Sequence, residues 1–243
     1  ILTDRPTEAD LSKCDHSLYG YLNGDENSTA ASWLNDAVDE IKKCFLNKTL
    51  PILVGGTGMY LNALKNGLAD IPDINTATKN ETQKLFDNHG LSFLYDEIKK
   101  NYSSTKIQEN DRQRIFRSYS LLKQTGKVLE QWQFNTSPEI DDIDYQILLT
   151  TTNRDELYPK AELRVDRMFE DVVIDEVNEL LGKGYDDNMP IMKAIGVREI
   201  SRLLNKEIDL EECKNIIKKN TRNFIKRQIT WIKGNNITQN IDK

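Results

Sequence analysis

Three glycines occur within four residues of the segment PILVGGTGMYLNAL, which covers residues 51–64. Because glycine lacks a Cβ atom, the turn formed by Gly55, Gly56, Thr57 and Gly58 would let backbone N–H groups approach an anion or a base closely. A helix that begins after the turn would add the positive end of its dipole, and Thr57 adds a hydroxyl group. The turn has neither the Lys-Ser/Thr pair of a Walker A loop nor a dinucleotide-binding fingerprint. The residues alone leave two interpretations open, a ligand-binding turn and a tight strand-to-helix connection without a ligand.

A run of cations occupies residues 214–233, KNIIKKNTRNFIKRQITWIK, and this run contains no acidic residue. Its cations are Lys214, Lys218, Lys219, Arg222, Lys226, Arg227 and Lys233. The whole chain carries a net charge of −6, which argues weakly against a nucleic-acid partner because cationic side chains drive phosphate binding. At helical spacing, however, the run has one apolar face and one cationic face, the pattern expected of contact with a phosphate backbone. The alternative is a solvated helix face, and the missing acidic partners favour an anionic ligand.

A second cationic cluster, RQRIFR at residues 112–117, places Arg112, Gln113, Arg114 and Arg117 over about a turn and a half of a predicted helix. Arginine and glutamine are side chains that contact phosphates and base edges. The cluster therefore indicates a second nucleic-acid contact, and an exposed basic helix explains it equally well.

Arg164 differs from both clusters because it lies at the edge of the apolar stripe of the predicted helix KAELRVDRMF, residues 160–169. A guanidinium held there needs an anionic partner, since an unpaired charge is costly to bury. The partner would be a carboxylate in a structural role or a phosphate in a functional role. The spacing alone slightly favours the carboxylate.

The cysteines and histidines are too few and too scattered to form a structural zinc site. The chain has three cysteines, Cys14, Cys44 and Cys213, without a CxxC pair, and it has two histidines. Single scattered cysteines are typical of a reducing cytosol. No apolar run approaches the roughly 20 residues that span a bilayer. We therefore expect a cytoplasmic protein that makes no membrane contact.

The elements predicted to position these residues begin with a helix and a strand. Residues 29–46 have the spacing of an amphipathic helix, with Ser28 or Thr29 as its cap. LPILV, at residues 50–54, is predicted to be a short, fully buried strand. This order of helix, strand, turn and helix is typical of a parallel α/β sheet. Residues 73–142 lack strand-like sequence, and we interpret them as a mostly helical insertion. In this insertion Gly90 is predicted to end one helix, Asp111 is predicted to cap a later helix, and Gly126 is predicted to end that helix.

The strand pattern returns in IDYQILLTTTN, at residues 143–153, and Asn153 with Glu156 three residues later resembles a capping box at the start of the next helix. The alternative is a regular helix that begins near Pro159, with the proline in its first turn. The chain is thus predicted to have three parts. Residues 1–72 form the first part of an α/β core, residues 73–142 form the insertion, and residues 143–243 form the remainder of the core with the basic C-terminal helices.

Five motifs together resemble a known family: LPILVGGTGMYLNALKNGL, DRQRIFRSYSLLKQTGKVLEQWQ, RVDRMFEDVVIDEV, KAIGVREI and TRNFIKRQITWIKG, in that order. Over nearly the whole chain they closely resemble the tRNA dimethylallyltransferase (tRNA isopentenyltransferase) family. The resemblance implies a P-loop NTPase-like core with a parallel sheet and a helical insertion domain that binds tRNA. It implies transfer of a dimethylallyl group from dimethylallyl diphosphate to N6 of the adenosine just 3′ of the anticodon. The partner would be the tRNA anticodon stem-loop, Mg²⁺ is expected by resemblance only, and we expect a monomer.

The resemblance also implies roles for individual residues. Thr57 would lie at the reaction centre and Arg164 would hold the diphosphate, so both are expected to be catalytic. Gly55, Gly56 and Gly58 would form the substrate-binding turn. The residues that match the family's tRNA-contacting stretches are Lys79, Gln113, Arg114, Arg117, Lys193, Arg198, Lys226, Arg227, Gln228 and Lys233.

Two elements of the family have no counterpart in this sequence. One is the Walker A loop that cradles the diphosphate, and the other is a strand whose Asp, in an Asp-Ser-x-Gln-type motif, is the general base for N6. The opening segment ILTDRP resembles the part that directly follows them. We expect that about 40 to 50 residues precede it in the family pattern, roughly one strand, P-loop and helix and the next strand. Two alternatives therefore stay open, a catalytically inactive tRNA-binding remnant and a small-molecule phosphotransferase of the P-loop class.

Overall fold

The computed structural model describes residues 1–26, 28–133, 136–140, 143–149, 153–170 and 172–235. The chain divides into two compact units. The first unit comprises Ile1–Asn62 and Asp142–Lys243, and the second unit comprises Ala63–Asp141. The α-helices are α1 (Glu8–Leu11), α2 (Ala30–Leu46), α3 (Gly58–Asn66), α4 (Thr76–Asn101), α5 (Arg112–Thr125), α6 (Leu129–Trp132), α7 (Arg154–Glu170), α8 (Val173–Gly182), α9 (Val197–Leu204) and α10 (Leu210–Gly234). A 3₁₀ helix covers Ile191–Lys193. Within the described ranges, no helix is both long and apolar enough to cross a membrane.

The core of the first unit is built from four consecutive helices, α7 to α10. Each helix contributes to one buried cluster, with Val165 from α7, Val177 from α8, Ile200 from α9 and Ile217 from α10. Amphipathic helices bury their apolar stripes in this way. Cys213 belongs to the same cluster, and burial raises the pKa of its thiol to about 11, so this cysteine stays protonated at neutral pH.

Helix α7 begins at Arg154, so the predicted start at Asn153 is confirmed and the alternative start near Pro159 is wrong. The side chain of Asn153 explains the earlier start. Its Oδ1 atom accepts a hydrogen bond from the Asp155 N–H at 3.0 Å, and its Nδ2 atom donates to Glu156 Oε1 at 3.1 Å. These bonds satisfy polar groups at the helix start before the proline is reached.

The second unit is centred on the packing of α4 against α5. Leu94, Ile115 and Tyr119 lie in its buried cluster. Thr82 and Ser120, which are also buried, join their hydroxyl groups in a hydrogen bond of 2.9 Å. The two polar side chains thus satisfy each other inside an apolar interface.

Single residues set the helix ends of the second unit. Gly90 interrupts α4 with φ 80° and ψ 178°, where the sequence predicts a helix end. The Asp111 carboxylate caps α5 by accepting the Arg114 N–H at 3.1 Å, and Gly126 ends α5 in the left-handed region with φ 75°. These capping predictions are confirmed, while the bounds 73–142 of the insertion stay a prediction.

The strand prediction at residues 50–54 is wrong. The segment forms no strand, and Leu50, Ile52 and Val54 are 81%, 77% and 77% exposed. A strand needs a neighbouring strand to pair its backbone N–H and C=O groups, and the described residues include no strand, only the isolated bridge residue Leu149. The second predicted strand, residues 143–153, forms no strand where it is described, apart from the bridge at Leu149, and its residues 150–152 lie outside the described ranges.

The buried position of Ile200, which is 0% exposed, gives a test of the first unit's core. Ile200→Ala is expected to lower the free energy of unfolding by about 2–5 kcal/mol, because it removes buried methyl groups and leaves a cavity. Leu163→Ala is the control, since Leu163 is 50% exposed, and it should cost no more than about 1 kcal/mol. Urea unfolding measures both values, and similar losses for the two variants would contradict this core.

Candidate active site and cationic surfaces

The glycine-rich turn lies directly against α10. Gly58 is buried, and a Cβ atom added to it would overlap the indole ring of Trp231. A Cβ atom on Gly56 would overlap the side-chain amide of Gln228. Gly55 has open space instead, with no atom within 4 Å of an added Cβ. Gly58 is therefore needed for the close approach of the Trp231 ring, which is the packing interpretation of the motif, whereas the flexible Gln228 side chain can move away from a Cβ atom on Gly56.

Thr57 is exposed, as are Gly55 and Gly56, and it is the residue of this turn that carries a side-chain hydroxyl. Its carbonyl oxygen accepts a hydrogen bond from the Tyr60 N–H at 3.1 Å, in the first turn of α3. Within the described ranges its hydroxyl group has no hydrogen-bond partner. The hydroxyl is thus available to a substrate, which keeps the ligand-binding interpretation open beside the packing one.

The partner of Arg164 is a carboxylate, as the position of this residue in the sequence slightly favoured. Its Nη2 atom lies 3.5 Å from Asp4 Oδ1 and donates a hydrogen bond to the carbonyl oxygen of Ile1 at 3.2 Å. The Asp4 side chain is 83% exposed, so this ion pair adds little stability. The guanidinium therefore remains able to exchange Asp4 for another anion.

A cavity of about 410 Å³, which we call the arginine cavity, opens beside Arg164. Its described lining residues are Ile1, Asp4, Arg5, Thr7, Arg164, Arg167 and Met168. Three guanidinium groups thus face a single carboxylate, which makes the cavity electropositive. Thr57 is not among these lining residues, so the structure does not bring the two predicted catalytic residues together in this cavity. The sequence prediction missed Arg5 and Arg167.

Apart from Lys214, which lies over the ring of Phe169 at 5.5 Å, the cations of α10 separate into two groups. On the packed side, Lys218 Nζ lies 2.7 Å from Asp166 Oδ1, and Arg222 pairs with Glu162. Both carboxylates come from α7, so the statement that the basic run lacks acidic partners is wrong for the folded chain. These two cations stabilise the contact between α10 and α7 instead of meeting a ligand.

The other group forms an exposed stripe along α10, which we call the α10 stripe. It consists of Lys219, Lys226, Arg227 and Lys233, all exposed. In the part of the chain that the structure describes, the three lysines make no ion pair, and Arg227 lies over the ring of Phe224 at 5.6 Å. Lys226, Arg227 and Lys233 were predicted tRNA contacts, and Lys219 was missed although it lies seven residues before Lys226. Gln228, also a predicted contact, lies against Gly56.

Two further predicted contacts of the first unit lie outside α10. Lys193 ends the 3₁₀ helix and is exposed. Arg198 lies in the first turn of α9, is exposed, and donates a hydrogen bond to the Asp187 carbonyl oxygen at 3.5 Å. Neither forms an ion pair with a described residue, so both cations are accessible to an anion.

The second unit carries the remaining predicted contacts. Lys79, in the first turn of α4, and Gln113 and Arg117, on α5, are exposed. Arg114 is exposed and lies 3.5 Å from Asp111 through its Nε atom. Arg112, which is not among the predicted contacts, lies over the rings of Phe86 at 4.4 Å and Phe116 at 5.2 Å.

The described residues do not by themselves form a cluster of metal ligands. They contain no group of three or more His, Cys, Asp or Glu side chains that could hold a metal ion. The carboxylate in the arginine cavity belongs to Asp4, which already pairs with Arg164. We therefore derive no step that depends on Mg²⁺.

Similarity to known proteins is found with a family model, with individual sequences and with a solved structure. The family model described as IPP transferase matches residues 1–235. The tRNA dimethylallyltransferase of Ehrlichia chaffeensis is 35% identical over 234 residues, covering 96% of this chain and 77% of the relative. That of Pelagibacter ubique is 33% identical, covering 95% and 74%. The crystal structure of tRNA isopentenylpyrophosphate transferase from Bacillus halodurans matches 99% of this chain and 76% of its own, with a TM-score of 0.67 and 26% identity. The chain therefore belongs to the IPP transferase family.

Proposed function

We propose that this chain transfers a dimethylallyl group from dimethylallyl diphosphate to N6 of the adenosine just 3′ of the anticodon in tRNA. Its relatives are named tRNA dimethylallyltransferases, so tRNA prenylation is the function that the family supports. The alternative of an inactive tRNA-binding remnant is not favoured by these names. A P-loop-type parallel sheet, Mg²⁺, a cytoplasmic location and a monomeric state are parts of the proposal that rest on the family resemblance.

The reaction forms one bond and breaks one. The exocyclic N6 attacks the first carbon of the allyl group, the bond from that carbon to the diphosphate oxygen breaks, and N6 loses a proton. Diphosphate leaves with the bonding electrons, so negative charge on its oxygens grows in the transition state. Catalysis then depends on positioning the two substrates and on stabilising the leaving group. We assign no general base among the described residues.

The arginine cavity is the observation that carries the proposal. Guanidinium groups bind phosphate oxygens through paired, charge-assisted hydrogen bonds, and Arg5, Arg164 and Arg167 supply three of them around one space. Since the Asp4 partner of Arg164 is mostly exposed, an incoming diphosphate can displace it at low cost. In this proposal Arg164 holds the diphosphate and stabilises it as it leaves.

The glycine-rich turn is proposed to receive the adenine. The base must leave its stack before N6 can react, and a turn with an exposed Thr57 hydroxyl can hydrogen-bond to the adenine edge. A threonine hydroxyl is too weak a base to remove the proton itself, so Thr57 orients N6. Gly55, which has open space around it, lets the base approach the backbone.

The remaining predicted residues are proposed to contact the anticodon stem-loop. In the first unit these are the α10 stripe with Lys193, Arg198 and Gln228, and in the second unit they are Lys79, Gln113, Arg114 and Arg117. Exposed lysines and arginines bind phosphates without regard to sequence, and they make binding dependent on salt. Arg227 and Phe224 together also offer a planar surface on which an unpaired base can stack.

Incubating the purified chain with unmodified tRNA and dimethylallyl diphosphate tests the function. Incorporation of the dimethylallyl group into the adenosine beside the anticodon is the expected result. Binding of tRNA without transfer would instead support the inactive remnant, and neither binding nor transfer would contradict both.

A single substitution on the α10 stripe tests the phosphate contact. Arg227→Ala is expected to weaken tRNA binding by roughly two- to fivefold and to make the salt dependence of log K less steep by about 0.7–0.9, as for one lost phosphate contact. Arg154→Ala, at the exposed start of α7, is the matched control. Filter binding over a salt series measures both variants, and an unchanged slope for Arg227→Ala would reject the contact.

A further inference from the structure

Two tryptophans contact the segment that carries Thr57 and the first turn of α3. The indole ring of Trp231 lies where a Cβ atom of Gly58 would be, and the amide of Gln228 does the same at Gly56. The ring of Tyr60 stacks on Trp33 of α2, with centroids 4.6 Å apart and an interplanar angle of 11°. The first turn of α3 thus has aromatic contacts with both α10 and α2.

The contacts with α10 are unusually close because the residues on the turn have no side chains. Gly56 and Gly58 flank Thr57 in the chain, so the two contact points lie on either side of the exposed hydroxyl. Gly58 is buried against the Trp231 ring, and tightly packed groups transmit a displacement to their neighbours. A shift of α10 is therefore expected to displace the backbone next to Thr57.

The same stretch of α10 has two faces with different tasks. Gln228 and Trp231 are half-buried against the turn, and Ile229 is buried. Lys226, Arg227 and Lys233 are exposed on the α10 stripe. Because a helix moves as one rigid element over such a short length, a nucleic acid that binds the stripe acts on the turn through Trp231 and Gln228.

We propose that Trp231, assisted by Gln228, is a positioning residue that couples RNA binding on the α10 stripe to the orientation of Thr57. This inference rests on the proposed function for the identity of the RNA. Trp231 need not touch either substrate, since it acts through the backbone of Gly58. Its role is to keep the turn in the geometry that presents the Thr57 hydroxyl to the adenine.

Hydrogen exchange tests the coupling without any need for catalysis. An anticodon stem-loop RNA with an unmodified adenosine is added to the full chain, and exchange is followed in the segment that contains residues 55–60. We expect the RNA to slow exchange in this segment in the unchanged protein. In Trp231→Ala, which retains every cation of the stripe, the RNA should still bind but should no longer slow exchange there. Unchanged exchange on RNA binding to the unchanged protein would overturn the proposal, and so would slowing that persists in Trp231→Ala.

A double-mutant cycle tests the contact itself. Gly58→Ala crowds Trp231 and is expected to lower kcat about tenfold with little change in KM for tRNA, since small displacements of reacting groups are costly. Adding Trp231→Ala makes room for the new methyl group, so the double variant should be more active than independent effects predict. Gly182→Ala, at the end of α8 with no atom within 4 Å of the added Cβ, is the matched control and should keep full activity.

The outcomes separate this inference from the proposed function. Independent effects in the cycle, or a loss confined to KM for tRNA, would overturn the positioning role. If Gly58→Ala fails to fold, Trp231→Phe takes its place, because it shortens the ring against Gly58 and leaves every cation of the stripe and Gln228 unchanged, and a lowered kcat at unchanged KM is again expected. A chain that binds the RNA and slows exchange at residues 55–60 but never transfers the prenyl group would contradict the proposed function and leave the coupling intact.

Discussion

Arg164→Ala is expected to lower kcat/KM for dimethylallyl diphosphate by about 100- to 1,000-fold, because it removes the donor that we propose to bind the oxygens that gain charge in the transition state. The affinity for tRNA should change by no more than about twofold, since a residue remote from the tRNA backbone contributes no phosphate contact. Steady-state kinetics with each substrate varied in turn measures the first value, and filter binding measures the second. Titration with inorganic pyrophosphate adds a readout that does not depend on catalysis.

Three controls make this test specific to the diphosphate. Arg164→Lys keeps the charge but loses the planar fork, so it should recover only part of the activity. Arg5→Ala and Arg167→Ala should each weaken pyrophosphate binding, because both line the same cavity. Folding should be little affected by Arg164→Ala, since its Asp4 partner is mostly exposed. Equal losses in diphosphate use and tRNA binding would count against the assigned role.

Local signals in the sequence predicted the helices well. Thr29 was expected to cap α2, and its hydroxyl accepts the Ser32 N–H at 3.0 Å. Asp111 and Gly126 likewise lie at the two ends of α5, as expected. Capping depends on residues three or four positions apart, so the sequence contains all the information that it needs.

The prediction of a strand at residues 50–54 was wrong because strand formation, unlike capping, depends on residues that are distant in the sequence. Its apolar composition predicts burial, but burial and pairing come from neighbouring strands that the segment cannot specify. The described residues supply no such neighbour, and Ile52 and Val54 stay exposed. The resemblance of the fold to the Bacillus halodurans structure therefore rests on the helices and connections that are present.

Whether the sequence could reveal the role of a residue in the candidate site depended on how far along the chain its contact partner lies. The carboxylate partners of Lys218 and Arg222 lie on α7, so the sequence run could not reveal that these cations are satisfied. The contact of Trp231 with Gly58 is equally remote in sequence. Lys219 is different, because its spacing of seven residues from Lys226 is visible in the sequence and places both on one helix face.

Neutralising the lysines of the α10 stripe is expected to have the second large effect. The triple variant Lys219→Gln, Lys226→Gln and Lys233→Gln should weaken tRNA binding by about 10- to 100-fold at moderate salt, because three phosphate contacts and their counterion release are lost. The three residues lie seven apart, so they span about 21 Å of one helix face, long enough to follow several phosphates of a single strand. Filter binding over a salt series should show a slope that is shallower by about two to three.

The matched control removes the same charge from other exposed lysines of the first unit. Lys42, Lys183 and Lys206 are exposed and lie on or beside α2, α8 and α9, away from the stripe. Their triple change to glutamine alters the net charge equally, so a general electrostatic attraction would weaken both variants alike. A local phosphate contact affects only the stripe variant.

Because the stripe lysines make no ion pair within the described ranges, their loss should leave the free energy of unfolding almost unchanged, which separates a defect in binding from a defect in folding. Equal salt slopes for the two triple variants would show that the α10 stripe is an ordinary solvated helix face.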